Sequence, residues 1–255
     1  MAPFAIRFRQ VWVAVADTLF PQACLGCRRT LFGPGSRWCV PCATEILKAT
    51  AQLYCPTCGR DVGAYEVVNG RCGRCSLERW SHDGLVRVAA YGGLFGSLIR
   101  QYKFAGHERL DKAFGRMLAE RIEAASWRRD VEAVVPVPSH WSVRRARGFF
   151  STGAFARETA RHLGVAYLNL LRRPKRGRSQ IGLSTTDRRK NVRGMFALRR
   201  GANVAGRTVC LVDDVMVTGA TLHENIRLLK HAGARAVYAA VLVRSDPASA
   251  AFVGA

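Results

Sequence analysis

The chain has 255 residues, 49% of them apolar, with a mean hydropathy of −0.02, which suits one large domain or an ordinary domain with a small appendage, and a buried core. No run reaches the roughly 18 apolar residues of a bilayer span, which excludes a membrane-spanning reading. Forty basic residues against eighteen acidic ones give a formal charge of +22, and a charge of that size turns attention to anionic partners.

An amphipathic helix is expected over residues 1–19, followed by a metal-binding segment over 20–81, an α/β domain over 82–246 and a tail over 247–255. Arg7 and Arg9 precede VWVAVADTLF in the manner of an export signal. Asp17 interrupts that run, however, and Val11, Val15, Leu19 and Phe20 suit one helical face packed on the body. A cytoplasmic location is expected.

Eight of the nine cysteines form four C-x-x-C pairs: Cys24/Cys27, Cys39/Cys42, Cys55/Cys58 and Cys72/Cys75. Two intervening residues let both thiolates face one tetrahedral ion, and the gaps of eleven, twelve and thirteen residues suffice to bring the chain back. Disulfides compete with this reading, but a reducing cytosol keeps thiols free. Two structural zinc ions are therefore expected. Spacing leaves their pairing open, and sequential closure is chosen because its loops are short. Eight thiolates and two Zn²⁺ would lower the formal charge to about +18. A four-cysteine site has no open position, so no catalysis is assigned to the metal. Cys210, inside the run TVCLV, reads as a core residue.

Beyond the cysteines, LVRVAAY reads as a strand, LFGSLIRQYKF as a helix, and ERLDKAFGRMLAERIEAA as a second helix with Leu110, Phe114, Met117, Leu118 and Ile122 on one face. AVVPVP is a buried strand entering the basic loop HWSVRRARGF, and Phe149 to Leu163 is helical. YLNLLRR reads as one strand, leading into a lid-like loop, RPKRGRSQIGLSTTDRRKN. MFAL, TVCLVDD and AVYAAVLV are further strands, with TLHENIRLLKHAGA as the helix between the last two. The alternation implies a mainly parallel sheet, with ligands beyond the carboxyl ends of its strands.

One of those ends carries unusual chemistry. In LVDDVMVTGATL an apolar strand delivers Asp213 and Asp214 to its solvent-facing end, and the chain then turns directly into a helix. Gly219 would allow close backbone approach, so that the amides and hydroxyls of Thr218 to Thr221 surround a phosphate. The carboxylates upstream are placed to accept hydrogen bonds from vicinal hydroxyls. Phosphate donors and diol acceptors a few residues apart suit a ribose 5-phosphate. A Walker loop is excluded, because no Lys follows the glycine.

This stretch resembles the phosphoribosyl pyrophosphate (PRPP) signature of the type I phosphoribosyltransferases. Over roughly Leu19 to Val243 the chain is similar to the ComF competence-protein family. The motifs that carry the likeness are the four cysteine pairs, Tyr91 with Gln101-Tyr102-Lys103-Phe104, Val135-Pro136-Val137-Pro138, Arg144-Arg145-Ala146-Arg147-Gly148-Phe149, Ser179-Gln180 with Gly182-Leu183-Ser184, Arg188 with Asn191, and Gly194-Met195-Phe196. After R-G-F the family has Asn-Gln, where this chain has Phe150-Ser151. The resemblance implies a type I phosphoribosyltransferase-like parallel sheet flanked by helices, a small N-terminal double zinc ribbon, and a link to DNA uptake in natural transformation.

Carried onto the matched motif, Asp213 and Asp214 would hold the ribose hydroxyls, directly or through Mg²⁺, and would be the catalytic pair. Val217, Thr218, Gly219, Ala220 and Thr221 would hold the 5-phosphate. Arg144, Arg145 and Arg147 are the first choice for pyrophosphate, followed by Lys103, Arg188, Arg189 and Lys190. Three readings stay open. One is a phosphoribosyltransferase whose acceptor the residues do not name. The second is a single-stranded-DNA-binding protein with a regulatory PRPP site. Sixteen Lys or Arg against Glu158 and Asp187 between His140 and Arg200, an excess of fourteen, favour that one. The third is a zinc-ribbon adaptor for DNA-uptake or recombination proteins.

Overall fold

A segment built around cysteine pairs has too few apolar side chains for a core, and the start of the chain shows what replaces one. The computed structural model describes residues 22–31, 36–105, 108–140, 145, 151–174, 192 and 194–246, and the chain divides into two compact units, Met1–Ala51 and Gln52–Ala255. In the first unit, β1 (Gln22–Ala23) and β2 (Thr30–Leu31) pair antiparallel, and α1 (Val40–Thr50) follows. Cys39, in extended backbone, caps that helix, and Pro41 occupies its first turn, where a missing N–H costs nothing. Cys42 and Ile46 are the helix's buried residues.

The second unit opens with another cysteine knuckle. Its hairpin, β3 (Val67–Val68) and β4 (Arg71–Cys72), turns through Asn69 and Gly70, both at positive φ (50° and 75°). Asn-Gly is the pair that a two-residue hairpin demands. After it come β5 (Leu85–Ala90), α2 (Gly93–Ala105), α3 (Glu108–Glu123), β6 (Ala133–Pro136), α4 (Ser151–Leu163), β7 (Ala166–Tyr167), β8 (Leu171–Arg172), β9 (Ala197–Leu198), β10 (Thr208–Met216), α5 (Ala220–His231) and β11 (Ala236–Arg244).

Five of these strands form one parallel sheet in the order β5-β11-β10-β6-β7. The central strands are almost continuously apolar because both faces are covered, as parallel sheets require. Leu110, Phe114, Leu118 and Ile122 of α3 are buried as the periodicity expects, and Met117 is half-buried. Tyr102, Phe114 and Phe155 join α2, α3 and α4 through tilted and edge-on ring contacts 5.2–6.4 Å apart. Tyr102 also donates to the Ser151 carbonyl at 2.7 Å and to the Asp111 carboxylate.

The sheet's register creates its open end. β10 pairs with β11 over its full length, from Thr208↔Ala236 to Met216↔Arg244. On the other side it pairs with β6 only from Val209↔Ala133 to Val212↔Pro136, and the Val137 amide makes one last bond to Val212 O at 2.9 Å. Pro138 has no N–H to continue the ladder. From Asp213 onward β10 has no strand partner on that side among the described residues.

Two expectations change. YLNLLRR is not one strand: Ala166–Tyr167 joins the sheet edge, while Leu171–Arg172 pairs antiparallel with Ala197–Leu198 of the MFAL segment, apart from the sheet. Residues 40–50, read only as a connection between cysteine pairs, are helical. The first compact unit ends at Ala51, between the two cysteine groups. The expected N-terminal helix and most of the expected lid lie outside the described residues. Among the described residues no helix is long and apolar enough to cross a membrane.

Candidate functional site

The cysteines assemble as sequential closure expects: Cys24, Cys27, Cys39 and Cys42 in one group, Cys55, Cys58, Cys72 and Cys75 in the other, all ligand atoms of each group within 4.8 Å of one another. Sulfur–sulfur separations are 3.6 Å for Cys27–Cys39, Cys55–Cys75 and Cys58–Cys72, and 3.7 Å for Cys72–Cys75. Four sulfurs at about 2.3 Å from a tetrahedral Zn²⁺ stand roughly 3.8 Å apart, while a disulfide needs about 2.05 Å. The donor sets fit zinc. In the first group the Cys39 amide donates to Cys24 Sγ at 3.3 Å, which offsets thiolate charge. Cys210 is fully buried in β10, and burial pushes its thiol well above the usual range, as befits a core residue.

The acid pair sits where β10 has lost its β6 neighbour. Both residues lie inside the strand, and only Asp214 meets solvent to any extent. Asp213 is 8% exposed, and burial, then the adjoining Asp214 charge, push its carboxyl up to about 8. This corrects the expectation of two solvent-facing carboxylates. The cause is register: β10 pairs with β11 for two residues past the acids, so the sheet covers Asp213. Asp213 Oδ1 accepts the Asp214 amide at 2.9 Å, and Asp214 Oδ2 stands 3.4 Å from Lys103 Nζ on α2. Lys103 thus sets a positive charge against the pair.

Val217 and Thr218 follow as half-buried residues, and Gly219 caps α5 at φ 75° without a side-chain cap bond. The Ala220 amide reaches Thr218 Oγ1 at 3.4 Å, and the Thr221 carbonyl accepts from Asn225 Nδ2 at 2.8 Å. Gly219 is required for more than its backbone angle. A Cβ there would stand 2.7 Å from Cζ3 of Trp80, so the indole fills the space a side chain would take. The sequence reading left that space to the ligand.

Of the basic residues proposed for pyrophosphate, Lys103 is at the acids and Arg145 is exposed. Arg144, Arg147, Arg188, Arg189 and Lys190 lie outside the described residues. One cation escaped the sequence reading. Arg173, just after β8, lies over the Phe196 ring at 5.4 Å, donates towards Met195 Sδ at 4.0 Å, and adds positive charge near Asp213. Its Nε is buried with no hydrogen-bond partner among the described residues. Nothing within the run Arg172-Arg173-Pro174-Lys175-Arg176 distinguishes it. Only its place before the G-M-F residues it touches would have singled it out.

Comparison with known proteins agrees with this geometry. The phosphoribosyl transferase domain model matches residues 153–253, and the double zinc ribbon domain model matches 15–76. Competence protein F of Haemophilus influenzae is 30% identical over 231 residues, covering 89% of this chain and 98% of that protein. The chain belongs to the ComF family. DNA utilization protein YhgH of Salmonella typhi, another relative, is 30% identical over 234 residues, covering 88% of this chain and 98% of its own length. A solved structure of the allosteric regulatory enzyme of purine biosynthesis is 26% identical over 56% of this chain, with a TM-score of 0.39, and the match spans 30% of that larger chain. In this ComF chain the family's zinc-ribbon and phosphoribosyltransferase segments are both present, and the acid pair and Gly219 loop fall within the second.

Proposed function

We propose that the sheet unit binds PRPP with Mg²⁺ at the end of β10. The observation that carries the reading is one short piece of chain: an acid pair, one buried and one half-buried, on a strand end without a β6 neighbour, followed five residues on by a left-handed glycine at a helix N-terminus. The amides of the first α5 turn have no helical partners and favour an anion, so they receive the 5-phosphate. Asp213 and Asp214 accept hydrogen bonds from the ribose hydroxyls. Mg²⁺, when bound, supplies charge neutralisation for the pyrophosphate. Lys103 and Arg173 contribute cations, with Arg144, Arg145, Arg147, Arg188, Arg189 and Lys190 as further candidates. In a transferase, these residues position C1 of the ribose and hold the leaving group while an acceptor displaces it.

Calorimetry with Mg-PRPP tests the reading. Low-micromolar to submillimolar binding by the wild type and none by Asp213→Asn with Asp214→Asn is the expected result. Equal affinity in the two proteins removes it. A pyrophosphate-release assay across nucleobases and amines then decides whether transfer occurs.

A second reading is supported by the basic block between His140 and Arg200 and by the names of the relatives, a competence protein and a DNA utilization protein. On this reading the protein handles single-stranded DNA without sequence preference. Four or five phosphate contacts give a log–log salt slope of roughly −3. Replacing Arg188, Arg189 and Lys190 with Ala should flatten that slope, and salt-insensitive binding leaves only an adaptor role for the ribbons.

A further inference from the structure

Trp80 belongs to neither motif, yet it touches both. It packs against the buried sulfur cluster of Cys55, Cys58, Cys72 and Cys75, and also against the sheet core. Its six-membered ring occupies the space above Gly219. A buried indole N–H without a partner is unfavourable, and Trp80 Nε1 has no hydrogen-bond partner among the described residues. Hydrogen bonding therefore does not explain an indole here; its flat area, filling the gap between sulfur cluster and loop, does.

Other bonds tie the same two places together. Ser81 Oγ is 2.6 Å from His223 Nδ1, in the first turn of α5. His82 Nε2 donates to the Thr57 carbonyl at 2.7 Å, within the C-x-x-C knuckle. Arg244, at the end of β11, donates from Nε to the Cys58 carbonyl and from Nη1 to the Met216 carbonyl, both at 3.1 Å. Met216 immediately precedes the loop. A Cβ on Gly59 would meet Leu85 at 3.0 Å and Met216 at 3.5 Å, so the knuckle lies directly on the end of β10. All of these partners lie within Gln52–Ala255.

We infer that Trp80 is a positioning residue for the 217–221 loop, and that through it metal in the Cys55/Cys58/Cys72/Cys75 tetrad and ligand in the loop stabilise one another. The inference rests on the PRPP reading for its ligand half only. The loop's glycine has no side chain of its own to fix it, and the Trp80 plate is fixed in turn by the sulfur cluster. Metal that orders the cluster orders the plate, and the plate restricts the loop to the conformation in which its amides face outward. Coupling between two sites is reciprocal. Ligand in the loop must hold metal in the tetrad by the same factor.

Hydrogen exchange of the full-length zinc-loaded protein tests the first half without any ligand. Trp80→Leu should speed exchange across residues 215–222 about tenfold, within the usual range of such couplings, and leave β6 and α4 unchanged. Trp80→Phe keeps a flat ring without the orphan N–H and should restore most of the protection. Unchanged loop exchange in Trp80→Leu overturns the inference. So does acceleration spread evenly over the sheet, which would mark a merely structural side chain. Zinc release to a zinc-selective chromophoric chelator tests the second half, using Cys39→Ser with Cys42→Ser so that one tetrad is loaded. Saturating Mg-PRPP should slow release several-fold in that protein and not when Trp80→Leu is added. Equal release rates with demonstrated PRPP binding overturn the coupling. Absence of PRPP binding by calorimetry removes the functional reading instead, and the exchange result still decides the role of Trp80.

Discussion

The two cysteine tetrads have the same ligands and nearly the same spacing but serve different surroundings. In the first, Cys27 is exposed, Cys39 half-buried, and the neighbours are a two-residue ladder and α1. In the second all four cysteines are at most 4% exposed and pack on Trp80, Val62 and Val67. Asp61 adds an ion pair to Arg87, a buried residue of β5, and Tyr54 lies under the same guanidinium at 5.0 Å. The first tetrad substitutes for a core; the second has been absorbed into one. Equal chemistry thus gives unequal structural weight, because what a metal site stabilises is set by what packs on its ligands.

The largest expected effect would break this comparison outright if it failed. Structural zinc contributes on the order of 10 kcal/mol, comparable with the whole stability of a domain. Cys72→Ser with Cys75→Ser should lower the main thermal transition, followed by circular dichroism, by at least about 15 °C. Cys39→Ser with Cys42→Ser should shift it by less than about 2 °C. Equal shifts would place both tetrads on the same footing.

Arg244→Met asks how much of that weight passes through one residue. It strands the Cys58, Met216 and Ser245 carbonyls, each now bonded to the guanidinium. Urea unfolding should show a loss of about 3 kcal/mol, reduced from the sum of three bonds because a desolvated cation is removed as well. A loss below about 0.5 kcal/mol would mean that the knuckle is held by packing alone.

A pH series sharpens the picture on the ligand side of the same unit. Asp213 keeps its proton up to about 8 when folded, against 3.8 for an ordinary Asp. The folded chain therefore binds a proton that the unfolded chain has released. That contribution is present in full below about pH 4 and disappears as pH rises towards 8. Asp213→Asn removes the dependence, so its melting temperature should gain on the wild type by a few degrees between pH 5 and 8, then run parallel. A constant offset would show that Asp213 is not held protonated. The smallest effect belongs to the first tetrad: Ser36→Ala, removing a 2.6 Å bond to the Trp38 carbonyl at an exposed site, should cost under about 0.5 kcal/mol.

Much of this was legible in the residues, and the gaps have physical causes. Cysteine spacing identified the tetrads because a tetrahedral site constrains neighbours along the chain. The VDDVMVTGAT run showed an acid-bearing strand passing into a glycine turn and a helix, because those parts are contiguous. Contacts between distant stretches left no such mark. Trp80 meets Gly219 across the fold, far from it along the chain. Arg173 was hidden among equivalent arginines. The burial of Asp213 depends on β10 pairing with β11 beyond the point where β6 stops, a register that neither strand's own residues reveal. YLNLLRR looked continuous because alternation continues through Asn169, while the chain there leaves the sheet.

The strand order has a consequence for the time at which these parts can come together. β11, the last strand among the described residues, lies between β5 and β10. β5 therefore has one edge waiting until the rest of the sheet has been synthesised. The Arg244 bond to the Cys58 carbonyl spans 186 residues. At about 5–20 residues per second, that separates the two partners by on the order of ten to forty seconds on the ribosome. The second ribbon must hold its knuckle through that interval without its seat, and metal captured early would keep it closed until β11 arrives.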